Sequence, residues 1–170
     1  MPLGAYITPI LGGGVMRDQI NQAIKEAMKA GDKRRLATLR LISAAIKDRD
    51  IAAQIDSAGQ PTGTDKISDA EVLQLLQKMV KQRRESAETY RQAGRQDLAD
   101  QELAEIAVIE EFLPKQLSEE ETRAAVAEVV RELGSASLKD MGRTMAALKE
   151  RYAGRMDFAK ASAIVKELLK

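Results

Sequence analysis

The chain has no histidine, no cysteine and no tryptophan among its 170 residues, and aromatic side chains make up only 3% of it. Histidine is the side chain whose ordinary pKa lies nearest neutrality, and Cys and His supply most nucleophile, base and zinc sites. Their absence excludes disulfides, zinc fingers and cysteine- or histidine-based catalysis, leaving carboxylates, Lys, Ser, Thr and Tyr as the available chemistry. A chain without cysteine suits a reducing compartment, so a cytoplasmic location is expected. No apolar run approaches the roughly 20 residues that span a bilayer, so a soluble protein is expected. The default reading is a protein that acts by its surface, with no catalytic residue, cofactor or metal site assigned.

What is present is helix-forming. Hydrophobic residues make up 44% and Asp, Glu, Lys and Arg 31%. With few aromatics, the core must be built from Ala, Leu, Ile, Val and Met, which suit helix-on-helix packing. The expected class is all-α.

Residues Met1 to Val15 stand apart. They carry no charged side chain and include Pro2, Pro9 and the run Gly12-Gly13-Gly14. With neither a basic start nor a continuous apolar stretch they do not read as a secretory signal. No Gly-Lys-Ser/Thr follows the glycines to make a phosphate loop. The segment reads as a disordered leader, or as an upstream start before Met16.

From Arg17 a helical period appears. Ile20, Ala23, Ile24, Ala27 and Met28 share a face, and Gly31-Asp32 stops the run. A second helix is expected over Lys33 to Ala53 with Leu36, Leu39, Ile42, Ala45 and Ile46 inward. So short a connection implies an αα-hairpin or a steep crossing. Residues 56–66 hold two glycines, a proline and no large apolar group, and read as a mobile loop. Ser68-Asp69-Ala70-Glu71 is a capping box opening a long helix with Val72, Leu75, Leu76, Met79 and Val80 inward, running past Tyr90 to Ala93. Gly94 breaks it, and helix resumes over Asp97 to Leu113 with Leu98, Ile106, Ile109, Phe112 and Leu113 as apolar residues.

Pro114 is the expected domain boundary, dividing an N-terminal helical domain over 16–113 from a C-terminal domain over 114–170. Ser118 to Glu121 forms a second capping box ahead of Ala125, Val126, Val129, Val130 and Leu133. Ser137 opens a further helix with Met141, Met145, Leu148 and Tyr152, closed by Gly154. Asp157 caps the last, carrying Phe158, Ala161, Ile164, Val165, Leu168 and Leu169. A small three-helix bundle results.

Two groupings invite catalytic readings. Glu110-Glu111 and Glu119-Glu120-Glu121 are dense carboxylates, but helical neighbours point about 100° apart, so solvated acidic faces are the simpler account. Ser135, Ser137 and Lys139 have the residue types of serine-lysine chemistry, but Ser137 reads more simply as a helix cap.

The near-neutral net charge of +1 conceals strong segmentation. Arg17–Asp50 has nine basic against five acidic residues, Lys78–Arg95 six against two, Gln96–Glu121 one against nine, and Leu138–Lys170 eight against four. The basic segments either pair with the acidic one or present faces to phosphate. Candidate nucleic-acid contacts are Lys33, Arg34, Arg35 and Arg40; Lys78, Lys81 and Arg84, beside Arg83; and Arg143, Lys149, Arg151, Arg155 and Lys160. With so few aromatics, base stacking is not expected, and backbone and shape would be read.

Four motifs occur in order: Met28-Lys29-Ala30-Gly31-Asp32-Lys33, Leu36-Ala37-Thr38-Leu39-Arg40, Phe112-Leu113-Pro114-Lys115-Gln116-Leu117, and Asp140-Met141-Gly142 through Ala153-Gly154-Arg155-Met156-Asp157-Phe158. Together they resemble the YqeY-like family over Met16 to the end. The C-terminal part is also similar to the tail domain of the B subunit of tRNA-dependent amidotransferases, carbon-nitrogen ligases that use glutamine as amido donor. The tail pattern maps onto Gly142, Met145, Gly154-Arg155, Val165 and Leu168-Leu169. The resemblance implies two helical subdomains, a phosphate contact at Arg155, and core roles for Met145, Val165, Leu168 and Leu169. It implies a non-catalytic tRNA-binding accessory protein, since glutamine hydrolysis and activation lie in other domains of that machinery. The alternatives are a protein-interaction adaptor using the acidic stripe 97–121, and a component of an amidotransferase enzyme.

Overall fold

Helical period and end signals translate into seven α-helices among residues 14–169, the part of the chain described by the computed structural model. They are α1 (Val15–Ala30), α2 (Lys33–Ala53), α3 (Asp69–Gln92), α4 (Gln96–Glu110), α5 (Glu119–Leu133), α6 (Met141–Arg151) and α7 (Phe158–Leu168), with a 3-10 turn over Leu138–Asp140. None is long and apolar enough to cross a membrane. Two compact units meet at Leu113 and Pro114.

In the first unit α3 and α4 form the most extensive pair, turning back at Gly94, whose φ of 75° lies in the left-handed region that glycine enters without a Cβ clash. α1 packs on α2, and α2 on α4. Met16, Ile20, Leu39, Ile42, Leu73, Leu76 and Ile109 are its fully buried large side chains. Each contributes about 1.5–3 kcal/mol of burial. In the second unit α5, α6 and α7 touch pairwise around Val126, Val129, Leu148, Met156, Val165 and Leu169.

Both acidic capping boxes form. Ser68 Oγ accepts from the Glu71 amide, and Glu71 Oε1 accepts from the Ser68 amide, both at 3.2 Å. The Ser118 and Glu121 pair does the same at 3.1 and 3.0 Å. The Glu121 carboxyl is held below its ordinary pKa, chiefly by the Ser118 amide. Asp157 caps α7 through the amides of Ala159 and Lys160. Asp69, the first residue of α3, is buried with neither carboxylate oxygen hydrogen-bonded, at a helix end where the dipole favours negative charge.

Several expectations are corrected. α1 starts at Val15, two residues before Arg17, because Met16 extends the buried series Met16, Ile20, Ala23, Ala27 backward. The leader reading for residues 1–13 lies outside the described residues. Met28 sits 100° beyond that series and is 56% exposed, not core. The expected helix through Leu113 ends at Glu110, and Phe112 and Leu113 lie in the turn before Pro114. A 3-10 turn replaces the first turn expected at Ser137; there the Asp140 carboxylate accepts from the Ala136 and Ser137 amides. Leu168 is 45% exposed, while Leu169 takes the core position.

Residues 54–62, which overlap the first part of the expected mobile loop over 56–66, are tied down by hydrogen bonds. Asp56 accepts from the amides of Ala58 and Gln60, the Thr62 hydroxyl donates to the Ala53 carbonyl, and Ile55 and Pro61 form an antiparallel bridge. The Asx turn built by Asp56 supplies internally the partners that a polar loop would otherwise take from water.

One polar junction ties three helix ends together. Arg17, in the first turn of α1, donates twice to Asp50 near the end of α2, at 2.8 and 2.5 Å, and once to the Ile67 carbonyl at 3.2 Å. The Ile67 amide donates back to Asp50 at 2.9 Å, just before the cap of α3. Both side chains are largely buried, at 17% and 15% exposure. The hydrogen bonds from Arg17 hold the Asp50 carboxyl below its ordinary pKa of 3.8.

Asp50→Ala is therefore expected to destabilise the first unit by about 1–3 kcal/mol in denaturant titration, since Arg17 and the Ile67 amide lose their acceptor. Because the native state holds the Asp50 proton less tightly than the unfolded chain, this stabilisation is complete above the ordinary value. It is lost as pH falls through the lowered native value, so the gap between wild type and Asp50→Asn closes below about pH 3.8.

Candidate nucleic-acid interface

The segmental charge is resolved largely inside the molecule, and arginine does the pairing. Every ion pair among the described residues is made by an arginine. The planar, weakly hydrated guanidinium gives up less solvation than an ammonium when it pairs, which leaves the lysines to water.

In the first unit the acidic helix α4 and the turn after it take up three arginines. Glu105 accepts from Arg83 at 3.2 Å, Glu110 from Arg84 at 3.0 Å, and Glu111 from Arg35. Arg83 and Glu105 are 17% and 20% exposed, so this pair belongs to the fold. Arg84 and Glu110 are 61% and 40% exposed, a class of contact worth little in water. The hydrogen bond to Glu111 holds the Arg35 guanidinium above its ordinary pKa. Burial, then the neighbouring charge of Glu105, pushes Glu102 upward.

The sequence candidates thus separate. Arg35 and Arg84 are engaged with Glu111 and Glu110. In the second unit Arg143 is paired with Asp140 at 3.2 Å and Arg151 with Glu132 at 2.6 Å. Lys33, Arg34, Arg40, Lys78, Lys81, Lys149 and Lys160 are exposed and make no ion pair among the described residues. Lys160 borders a groove of about 200 Å³ between α5 and α7, which also holds Glu119, Arg123 and Glu167 and is electrically mixed.

Arg155 is placed differently. Two segments distant in sequence, 114–117 and 152–157, are clasped together. The Leu117 amide donates to the Arg155 carbonyl at 2.8 Å, and Gln116 Nε2 donates to the carbonyls of Gly154 at 2.6 Å and Pro114 at 2.9 Å. Arg155 Nε donates to the Lys115 carbonyl at 3.3 Å. Gly154 is buried with φ 77°, and Met156 is 1% exposed in the core beneath. A half-buried guanidinium is thereby fixed beside exposed Lys115 at the start of the unit. Sequence reasoning singled out Arg155 but missed Gln116, whose role shows only once the two segments meet.

The carboxylate and serine groupings do not converge. Glu110 and Glu111 turn to different arginines. The Ser135 hydroxyl bonds Thr144 at 2.8 Å, and Ser137 occupies the cap position of the 3-10 turn. Among the described residues no group of three or more acidic side chains is arranged to hold a metal ion.

A family model for Yqey-like proteins matches residues 17–169, and the chain belongs to the YqeY-like family. A protein of Schizosaccharomyces pombe described as uncharacterized is 29% identical over 99 residues, covering 58% of this chain and 72% of that one.

The clasp makes its own stability prediction. Gly154→Ala forces a Cβ into a left-handed conformation and is expected to cost the second unit about 1–2 kcal/mol. Gln116→Ala leaves the Gly154 carbonyl short of a donor and is expected to cost about 1–3 kcal/mol. Thermal unfolding of both variants checks these values.

Proposed function

We propose that this YqeY-like protein is a non-catalytic accessory factor that holds tRNA by its phosphate backbone, with Arg155, Lys149 and Lys160 as the main contacts of its C-terminal unit. Arg143 and Arg151 assist, since their pairs are exposed and exchange readily with phosphate. The observation that carries the proposal is the clasp. It fixes Arg155 through its Nε and its backbone, in the segments that resemble the tail domain of tRNA-dependent amidotransferases.

The adaptor reading is weaker on this geometry, because Glu105, Glu110 and Glu111 are already satisfied by Arg83, Arg84 and Arg35. A basic partner would have to displace those arginines.

The test is retention of tRNA by the full chain as salt is raised. The logarithm of affinity should fall with the logarithm of salt by about 0.7–0.9 per phosphate contact. In the combined Arg155→Gln, Lys149→Gln and Lys160→Gln variant the slope should become shallower by about 2–3. Wild-type protein that fails to retain tRNA at low salt defeats the reading. The purified chain should also release no ammonia from glutamine, with or without charged tRNA.

A further inference from the structure

We propose that the outward face of α2 is a rail for an RNA strand, formed by Lys33, Arg40 and Lys47, separate from the C-terminal contacts. Residues seven apart on a helix drift by only about 20°. The three cations therefore lie nearly in line, about 10 Å apart and about 21 Å from first to last. All three are exposed, and so are Ala37 and Ala44 between them, which leave no bulk to hold a strand away.

None of the three makes an ion pair among the described residues, which makes this more than an ordinary solvated face. On a helix the neighbours of a side chain lie three and four positions away. Within α2 those positions around the three cations hold Leu36, Ala37, Ser43, Ala44, Ile51 and Asp50. Asp50 is the one acid, and it is taken by Arg17 and the Ile67 amide. The acidic surplus of α4 is reached from the other side of α2, where Arg35, about 200° round from Lys33, pairs with Glu111. Leu39, Ile42 and Ile46 bury that side in the core.

The chemistry favours one occupant. A protein partner would need aromatic or apolar anchors at the centre of its interface; this face has no aromatic residue, and its exposed apolar side chains stand off that centre, Leu41 on the flank and Ile51 beyond Lys47 at one end. A membrane surface would need a broad apolar helix face, and that of α2 is buried in its own unit. A nucleic-acid strand carries a regular row of backbone charges, and each of the three cations can meet one phosphate of it. Lacking aromatic platforms, the rail would hold the backbone without regard to sequence. The choice of RNA rests on the tRNA reading above; the rail itself rests on the charge geometry.

The test uses the full chain with two probes, a short oligouridylate and tRNA, over a salt series. The combined K33Q, R40Q and K47Q variant should keep its helical circular dichroism and bind oligouridylate at least about tenfold more weakly at low salt. Its salt slope should be shallower by about 2, from 0.7 for each of three single-strand contacts. The charge-keeping K33R, R40K and K47R variant should bind like wild type. Unchanged affinity and slope in the glutamine variant, or lost binding in the charge-keeping one, overturns the rail. Capture by polyglutamate or phosphatidylserine vesicles as tight as by oligouridylate at equal salt overturns RNA as its occupant. Rail-dependent oligouridylate binding without tRNA binding upholds the rail and removes the tRNA reading. Binding of tRNA through Arg155, Lys149 and Lys160, with oligouridylate indifferent to the rail, does the reverse.

Discussion

The bidentate contact between Arg17 and Asp50, closed through the backbone of Ile67, governs the rest of the first unit. It joins the start of α1, the end of α2 and the entry to α3 in one largely buried ring. Helices packed by aliphatic side chains slide and rotate with little directional resistance, and such a core tolerates many arrangements of similar volume. A fork-on-fork contact with a carboxylate has a narrow geometry and supplies the direction. It sets the rotation of α2 at its far end, and so which residues face outward. It also withdraws Asp50 from Lys47.

The same division of labour runs through both units. Arginines make all the ion pairs among the described residues, and the lysines together with the remaining arginines, Arg34, Arg40 and Arg155 among them, supply the rest of the positive charge, so a chain with net charge +1 keeps cations available to solvent. The stretch with nine acids among residues 96–121 reads as a binding stripe in isolation. In the fold three of those acids, Glu105, Glu110 and Glu111, are the counterweight that lets the basic helices α2 and α3 pack beside α4.

The helices were legible because their signals are local. α2 has the bounds its period and flanking residues predict, and the capping boxes at Ser68 and Ser118 form as expected. Departures arise where tertiary context decides. Met28 and Leu168 obey the period yet lie at the margin of a buried stripe, and the sequence does not say how wide that stripe is. The turn after α2 looked unstructured because its order comes from Asp56 and Thr62 bonding to backbone, which leaves no hydrophobic trace. The basic candidates were legible as residues, but their sorting into engaged and free depends on partners between 3 and 76 positions away. Arg155 emerged from motif resemblance, whereas its anchoring by Lys115 and Leu117 appears only in three dimensions.

The clasp between 114–117 and 152–157 also has a mechanical side. Tension arriving along the chain at Pro114 meets the bonds from Gln116 and Leu117 to Gly154 and Arg155 before it reaches the first turn of α5. The tether and the basic corner thus share one load path. A pull on the upstream segment is transmitted to the backbone that carries the Arg155 guanidinium, instead of unwinding α5 from its cap.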